Sequence, residues 1–225
     1  MHYIIALLLL SFFGNADYQV SKTTSVNTDV QSQYVDSVAW ELLAPYKERL
    51  DADMNEVLCY AKTDLKKGQP ESLLGNWTSD LCLKIGQNRF KDTIDVVLFN
   101  NGGLRYNLSE GDISKREIYQ LMPFENELVV LSLTLKDVEG LMSYLKHTGG
   151  QPVAFSKWFT TTELPFYVLT TDYLANGGDK MSFFTGKKQM SLGIKMRDAI
   201  IQHCIDVDTL SSALDNRHLI FMKNE

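Results

Sequence analysis

Apolar residues along this chain follow a helical period first and a strand period later. We expect a helix where they recur every three or four positions, at Val35, Val38, Ala39, Leu42 and Leu43. Pro45 interrupts the pattern, which predicts a separate helix over residues 46–65. A loop with Gly68 and Pro70 as helix breakers follows, and residues 72–87 again show the spacing of a helix.

Beyond residue 90 the apolar runs become short and rich in β-branched residues. They predict four strands, at residues 94–99, 127–134, 153–155 and 166–171, and a terminal strand at 218–222. A capping box from Ser114 to Glu117 predicts a short helix that stops at Pro123. Two further helices are expected, at 137–146, closed by Gly149-Gly150, and at 192–204. Helices and strands alternate without a linker, so we expect one α+β domain with mixed sheets flanked by helices.

The first sixteen residues have the pattern of an export signal. Residues 4–13 are uninterrupted apolar positions, and Gly14-Asn15-Ala16 places small residues before a cleavage point. The apolar stretch is too short to span a bilayer, and we expect no membrane span elsewhere. The prediction is a signal peptide at 1–16, a flexible lead-in at 17–28 and a folded domain at 29–225. The protein would then be periplasmic or secreted.

Charge and cysteine content narrow the functional classes. A net charge of −6 and a pI near 5.3 exclude a general basic surface for nucleic acid. Any phosphate ligand would need local cations. The cysteines are odd in number and form no CxxC motif. Two of them could pair in an exported protein, but Cys59 and Cys82 lie in helix-like segments, where buried free thiols are more common. We therefore expect free thiols at Cys59, Cys82 and Cys204.

Three short segments next to predicted strands carry chemistry. The segment "NNGGLR" (residues 100–105) is either a hairpin tip or a loop that presents Asn and Arg to a ligand. "MPFEN" (122–126) offers an aromatic ring, and "TDYLANGGDK" (171–180) offers a ring, a double glycine and an acid. Taken singly, each has an ordinary explanation as core or turn. Together they supply rings for a base, a carboxylate for ribose hydroxyls and a guanidinium for phosphate.

The order of these motifs resembles the C-terminal, substrate-binding domain of the 5'-nucleotidases over about residues 71–220. The resemblance implies that fold and a nucleotide site formed by Asn100, Arg105, Phe124, Tyr173, Gly177, Gly178 and Asp179. Asn100 and Arg105 would face the nucleotide, with Arg105 toward the phosphate. Phe124 and Tyr173 would sandwich the base, and Asp179 would bind the ribose hydroxyls. The two glycines would let the backbone approach the ligand.

The chain departs from this family both in residues of the site and in the expected domains. Pro70 stands where the family usually has an additional Arg, so one phosphate contact is expected to be missing, and Tyr173 replaces the commoner Phe. The family also has a metallophosphatase domain with two metals, which we expect this chain to lack. Its remaining histidines stand outside the family's ligand motifs and are expected to be structural, at His147, His203 and His218. We therefore expect no catalytic residue, metal ligand or cofactor in this chain.

The resemblance implies the nucleotide-recognition half of a split 5'-nucleotidase. A separate metallophosphatase chain would supply the divalent metals and hydrolyse the bound nucleoside monophosphate. The alternative is a non-enzymatic exported protein that binds a nucleoside or nucleotide. A third hypothesis, a scaffold that has lost its ligand, is disfavoured because Arg105, Phe124, Tyr173 and Asp179 are all retained.

Overall fold

A computed structural model describes residues 37–156 and 165–221 of the chain. The predicted export signal and lead-in lie outside the described residues. The chain divides after Leu43 into two units, and the described part of the first is the start of helix α1. The described strands and the helices that follow α1 lie in the second unit, which begins at Ala44.

Six α-helices are present in the described ranges. Their bounds are α1 Ser37–Met54, α2 Leu73–Arg89, α3 Lys115–Leu121, α4 Leu135–Thr148, α5 Asp172–Ala175 and α6 Met196–Asp206. Side chains cap the starts of α2, α3 and α4: Ser72 accepts a hydrogen bond from the N–H of Gly75, and capping boxes open α3 and α4. Gly149, with φ of 70°, ends α4 in the left-handed conformation. Short 3-10 helices occupy Asn101–Gly103, Gly178–Lys180, Ser182–Phe184 and Arg217–Phe221.

Eight strands in the described ranges form two mixed sheets. The smaller sheet has the order β3-β1-β8, and the larger has the order β5-β2-β6-β4-β7. The strand bounds are β1 Val57–Ala61, β2 Val96–Leu98, β3 Gly111–Ser114, β4 Glu127–Leu133, β5 Val153–Phe155, β6 Phe166–Thr171, β7 Gln189–Lys195 and β8 Thr209–Leu210. In the larger sheet β2 and β6 are parallel, whereas β4 is antiparallel to β6.

The larger sheet lies between two hydrophobic layers. Along β4, Leu128 and Val130 belong to the cluster that contains residues of α2 and α6, whereas Val129 and Leu131 face the cluster with α4 and Phe184. Alternate side chains of a strand point to opposite faces, so a strand buried on both sides reads as a continuous apolar run. This explains why "ELVVLSL" is so easily recognised as a strand.

The predicted α+β class is confirmed, and so are the elements with strong patterns. The helix over 72–87, the capping box at Ser114, the helix closed by Gly149 and the strands at 94–99, 127–134, 153–155 and 166–171 are found within a few residues of their expected bounds. The three cysteines are buried and free. Cys59, however, lies on a strand and not in a helix.

Several predictions about element bounds are wrong. Helix α1 continues through Pro45, because this residue is exposed and water can satisfy the carbonyl that a proline leaves without a donor. The expected second helix ends at Met54, and β1 follows. The late helix starts at Met196, because the preceding residues pair with β4 as strand β7. The described part of the expected terminal strand is a 3-10 helix, in which Arg217 is held by ion pairs to Asp80 and Asp215.

Candidate functional site

Three loops meet at one edge of the larger sheet. Strands β2 and β6 are parallel neighbours, so the loops that follow them leave the sheet at the same edge. Strand β4 runs antiparallel to β6 and pairs Leu128 with Thr171, which brings the segment before β4 to that edge as well. Strand order therefore collects residues 100–105, 122–126 and 171–180, which are far apart in sequence.

These loops enclose a pocket of about 300 Å³. Its lining residues are Asn100, Gly102, Gly103, Arg105, Phe124, Asn126, Tyr173 and Asp179. Five of the seven residues selected from the sequence are among them, and the remaining two, Gly177 and Gly178, are not. Asn126 was missed, although it belongs to the "PFEN" motif that carries Phe124.

Among the described residues that line the pocket, Arg105 is the only one with a cationic side chain. Its guanidinium carbon lies 5.4 Å from the centroid of the Phe124 ring, within the range of a cation–π contact. Its Nη1 donates a hydrogen bond of 3.1 Å to the carbonyl of Gly102, and its backbone N–H donates to the carbonyl of Leu121 at 2.9 Å. The side chain remains exposed, so most of its donors are available to an anion.

Asp179 is held by two other residues of the pocket. The amide of Asn100 donates to its Oδ2, and the hydroxyl of Tyr173 donates to its Oδ1 at 3.3 Å. Asp179 and the following Lys180 adopt left-handed conformations, with φ of 50° and 65°. Such conformations are costly for residues with a Cβ and cluster at functional sites. Two carboxylate oxygens thus face a pocket that already contains hydrogen-bond donors.

Gly178 packs directly under the aromatic ring of Tyr173. A Cβ at this position would lie 2.5 Å from Cε1 of the ring and 2.7 Å from the Tyr173 carbonyl oxygen. Gly103 stands in a similar relation to Asn100, whose Oδ1 would be 2.7 Å from an added Cβ. These glycines therefore leave room for neighbouring side chains of the site.

Two pKa shifts describe the electrostatics around the pocket. Burial raises the pKa of Tyr144 on α4, and the nearby carboxylate of Asp179 raises it further. Hydrogen bonds from Lys195 and then Arg197 lower the pKa of Glu125 to about 2. Glu125 is therefore fully ionised at neutral pH and balances two cations next to the loop that carries Phe124.

The described histidines have structural contacts. His147 Nδ1 lies 2.7 Å from the carbonyl oxygen of Ser143, His203 packs its ring on Trp77, and His218 Nδ1 lies 3.0 Å from a carboxylate oxygen of Glu71. Within residues 37–156 and 165–221, no group of three His, Cys, Asp or Glu side chains is placed to hold a metal ion.

A family model for the 5'-nucleotidase C-terminal domain matches residues 54–158. This part of the chain is thus similar to the C-terminal domain of 5'-nucleotidases. The match covers the loops that carry Arg105 and Phe124, and the strand that leads to Tyr173 and Asp179 follows it.

Curated relatives extend the similarity over more of the chain. It is 28% identical over 197 residues to "Trifunctional nucleotide phosphoesterase protein YfkN" of Bacillus subtilis (strain 168), an alignment that covers 77% of this chain and 13% of that protein. "Endonuclease YhcR" of the same organism is 28% identical over 142 residues, with 58% of this chain and 11% of that protein covered. The chain thus spans only a small part of these relatives.

Solved structures show the same fold. A 5'-nucleotidase precursor from Thermus thermophilus superposes with a TM-score of 0.64 at 23% identity and covers 81% of this chain and 43% of that one. The NAD nucleotidase of Haemophilus influenzae gives a TM-score of 0.54 at 15% identity, with 79% and 40% covered. In the described part of this chain, no helix has the length and apolarity needed to cross a membrane.

Proposed function

We propose that this domain binds the base and ribose of a nucleoside monophosphate and presents its phosphoester to a metallophosphatase on a separate chain. The observation that carries the proposal is that Phe124, Tyr173, Asp179 and Arg105 line one pocket. The names of similar proteins, a nucleotide phosphoesterase, a 5'-nucleotidase precursor and an NAD nucleotidase, support a nucleotide as the ligand.

Two aromatic rings would hold the base. Phe124 is 37% exposed and Tyr173 is 48% exposed, so each ring has surface that a base can cover. Stacking of a base on an aromatic side chain contributes about 1–3 kcal/mol. Asp179 would accept hydrogen bonds from ribose hydroxyls, which would replace the donors of Asn100 and Tyr173 that it now uses. Ribonucleotides should therefore bind more tightly than 2'-deoxynucleotides.

The phosphate would meet a single guanidinium, that of Arg105. One charge-assisted hydrogen bond at an exposed site adds on the order of 1–2 kcal/mol. The affinities of a nucleoside and its monophosphate should then differ by on the order of tenfold, and Arg105→Ala should remove the difference. A thousandfold preference for the monophosphate would show that another cation binds the phosphate.

Hydrolysis would require the second chain. Two-metal phosphatases use bound metals to activate water and to stabilise the leaving oxygen, and this domain would supply proximity and orientation of the substrate. The purified chain with Mg²⁺, Mn²⁺, Co²⁺ or Zn²⁺ should release no phosphate from nucleoside monophosphates. Metal-dependent turnover that persists after removal of contaminating phosphatases would contradict the proposal.

Calorimetric titration with AMP, adenosine and UMP tests the binding proposal. Phe124→Ala and Tyr173→Ala should each weaken binding by about 1–3 kcal/mol, whereas Tyr173→Phe should be nearly neutral. Tyr60→Ala is the matched control, because Tyr60 is a 43% exposed aromatic on strand β1 of the other sheet. If both site variants keep wild-type affinity with an intact circular dichroism spectrum, the two rings do not bind the base.

The second candidate is a nucleoside- or nucleotide-binding protein without an enzymatic partner. The observation that favours it is the single cation, Arg105, among the described residues that line the pocket. Equal affinity for adenosine and AMP, with no gain in hydrolysis when a metallophosphatase lacking its own C-terminal domain is added, would support this candidate over the first.

Export is part of the proposal. The apolar stretch at residues 4–13, followed by small residues up to Ala16, supports a cleaved signal and a periplasmic or secreted location. Sequencing of the protein isolated from its native host should find Asp17 as the first residue. An intact Met1 on protein recovered from the cytoplasm would contradict it.

A further inference from the structure

The segment at residues 122–126 carries two residues of the pocket but belongs to no helix or strand. It connects α3 to β4 and holds Phe124 and Asn126 at the pocket wall. A loop of this kind needs contacts from elsewhere to keep an aromatic ring in place. Those contacts come from the junction of β7 and α6, which lies far later in the chain.

Three consecutive residues at this junction contact the segment. The N–H of Met196 donates to the carbonyl of Asn126 at 2.9 Å, and Lys195 forms an ion pair with Glu125. Arg197 makes the remaining contacts: Nη1 donates to the carbonyls of Met122 and Phe124, each at 3.4 Å, and Nη2 pairs with the Glu125 carboxylate.

The guanidinium of Arg197 is buried, which is rare for this side chain. Arg197 is 5% exposed, and its guanidinium carbon lies 4.3 Å from the centroid of the Tyr119 ring. Its Nε has no hydrogen-bond partner among the described residues. Burying a guanidinium costs free energy unless charged and polar partners compensate. Nearly all of that compensation comes from one loop, which indicates that the side chain serves to hold that loop.

We propose that Arg197 is a positioning residue that fixes Phe124 and Asn126 for base recognition; this inference rests on the proposed nucleotide-binding function. Arg197 does not line the pocket, and the cation that does so among the described residues is Arg105. Loss of the Arg197 side chain should therefore weaken binding of the base, whereas the gain in affinity that the phosphate provides should stay unchanged. A residue that only stabilised the fold would lower the melting temperature without changing the affinity of the folded protein.

The test compares three variants by calorimetry with adenosine and AMP. Arg197→Met should lower the affinity for both ligands by about tenfold and leave their ratio unchanged. Arg197→Lys should recover part of the loss, because an ammonium can still pair with Glu125 but cannot also serve both carbonyls in the geometry of a guanidinium. The control is Arg116→Met, which removes an Arg of α3 that pairs with Asp51 and Asn55. It should bind both ligands as the wild type does.

A second measurement needs no nucleotide. Chymotrypsin cleaves after aromatic residues, so cleavage between Phe124 and Glu125 reports how well the segment is held. Arg197→Met should be cut there about tenfold faster than the wild type and Arg116→Met, because local opening governs access of the protease. If Arg197→Met does not fold, Glu125→Gln replaces it, because Glu125 is exposed and its loss spares the core. Like Arg197→Met, this variant should be cleaved faster than the wild type and should bind adenosine more weakly.

The two measurements separate the inference from the proposed function. If the wild-type protein binds neither adenosine nor AMP, the proposed function fails, whereas faster cleavage of the variants would still establish Arg197 as the residue that holds the segment. If folded Arg197→Met, or Glu125→Gln in its place, is cut and binds like the wild type, the inference is overturned.

Discussion

Replacing Gly178 with alanine would place a methyl group against Tyr173. The new Cβ would be 2.5 Å from Cε1 of the ring and 2.7 Å from the Tyr173 carbonyl oxygen. Ordinary contacts lie at 3.4–4 Å, so the neighbouring atoms must move by about an ångström. The carbonyl belongs to helix α5, whose end is tied by hydrogen bonds to the residues that follow. The Tyr173 ring is therefore the group that we expect to move.

The expected cost has two components. Overpacking of this kind reduces stability by about 1–3 kcal/mol. Displacement of the ring also removes its stacking on the base, which contributes about 1–3 kcal/mol and corresponds to a loss of about 5- to 150-fold in affinity. The phosphate should be unaffected, because Arg105 lies on a different loop. The ratio of AMP to adenosine affinity should therefore match that of the wild type.

The assay is calorimetry with adenosine and AMP, combined with urea denaturation of each variant. Gly186→Ala is the matched control, since Gly186 has φ of 75° and an added Cβ would meet no atom within 4 Å. It introduces backbone strain of about 1 kcal/mol without displacing any side chain. It should lose stability and keep wild-type affinity. If Gly178→Ala binds adenosine as tightly as the wild type, the position of the Tyr173 ring does not determine binding.

Three further outcomes are expected. Gly150→Ala should lower the free energy of unfolding in urea by about 3 kcal/mol, because φ is 110° and the Cβ would lie 2.1 Å from the Pro70 carbonyl oxygen. The control is Gly149→Ala, with φ of 70° and open space around the Cβ, which should lower the free energy of unfolding by only about 1 kcal/mol. Equal losses of stability in the two variants would refute this steric explanation. Because the folded-state pKa of Glu125 is lowered from 4.5 to about 2, its stabilisation should be complete above pH 4.5 and lost as the pH falls toward 2. The difference in melting temperature between the wild type and Glu125→Gln should shrink over that range, and a constant difference would contradict it. In the native protein a thiol reagent should modify none of the three buried cysteines before denaturation, and rapid native labelling would contradict the burial of Cys59, Cys82 and Cys204.

Strands buried on both sides were predicted well from the sequence. Strands β2, β4 and β6 are central in the larger sheet and almost wholly apolar, so their sequences can form little else. Strands β1, β3, β7 and β8 were missed. β7 is mostly exposed and carries polar residues together with Gly193, and β3 is only four residues long. Their strand conformation depends on pairing with partners distant in sequence, which no local pattern encodes.

Most residues that line the pocket could be selected from the sequence for a related reason. The motifs that contain them lie in local turns that require particular residues. The positive φ of Gly177, for example, favours glycine, so such a turn can be recognised in the sequence. The contribution of Arg197 cannot be recognised in this way, because "KMRDAI" is simply part of the helix predicted at residues 192–204. Only the pairing of β7 with β4 brings this arginine to the segment that carries Phe124.

The sequence by itself determined the residue types of the pocket, the central strands and the caps of α2, α3 and α4, since each depends on contacts within a few residues or on burial of one continuous run. The tertiary structure alone decided which loops meet, which glycines make room for which side chains, and which of Arg105 and Arg197 faces the pocket. Those features arise from the order β2-β6-β4-β7, in which neighbours are set by hydrogen bonds between strands that are remote along the chain.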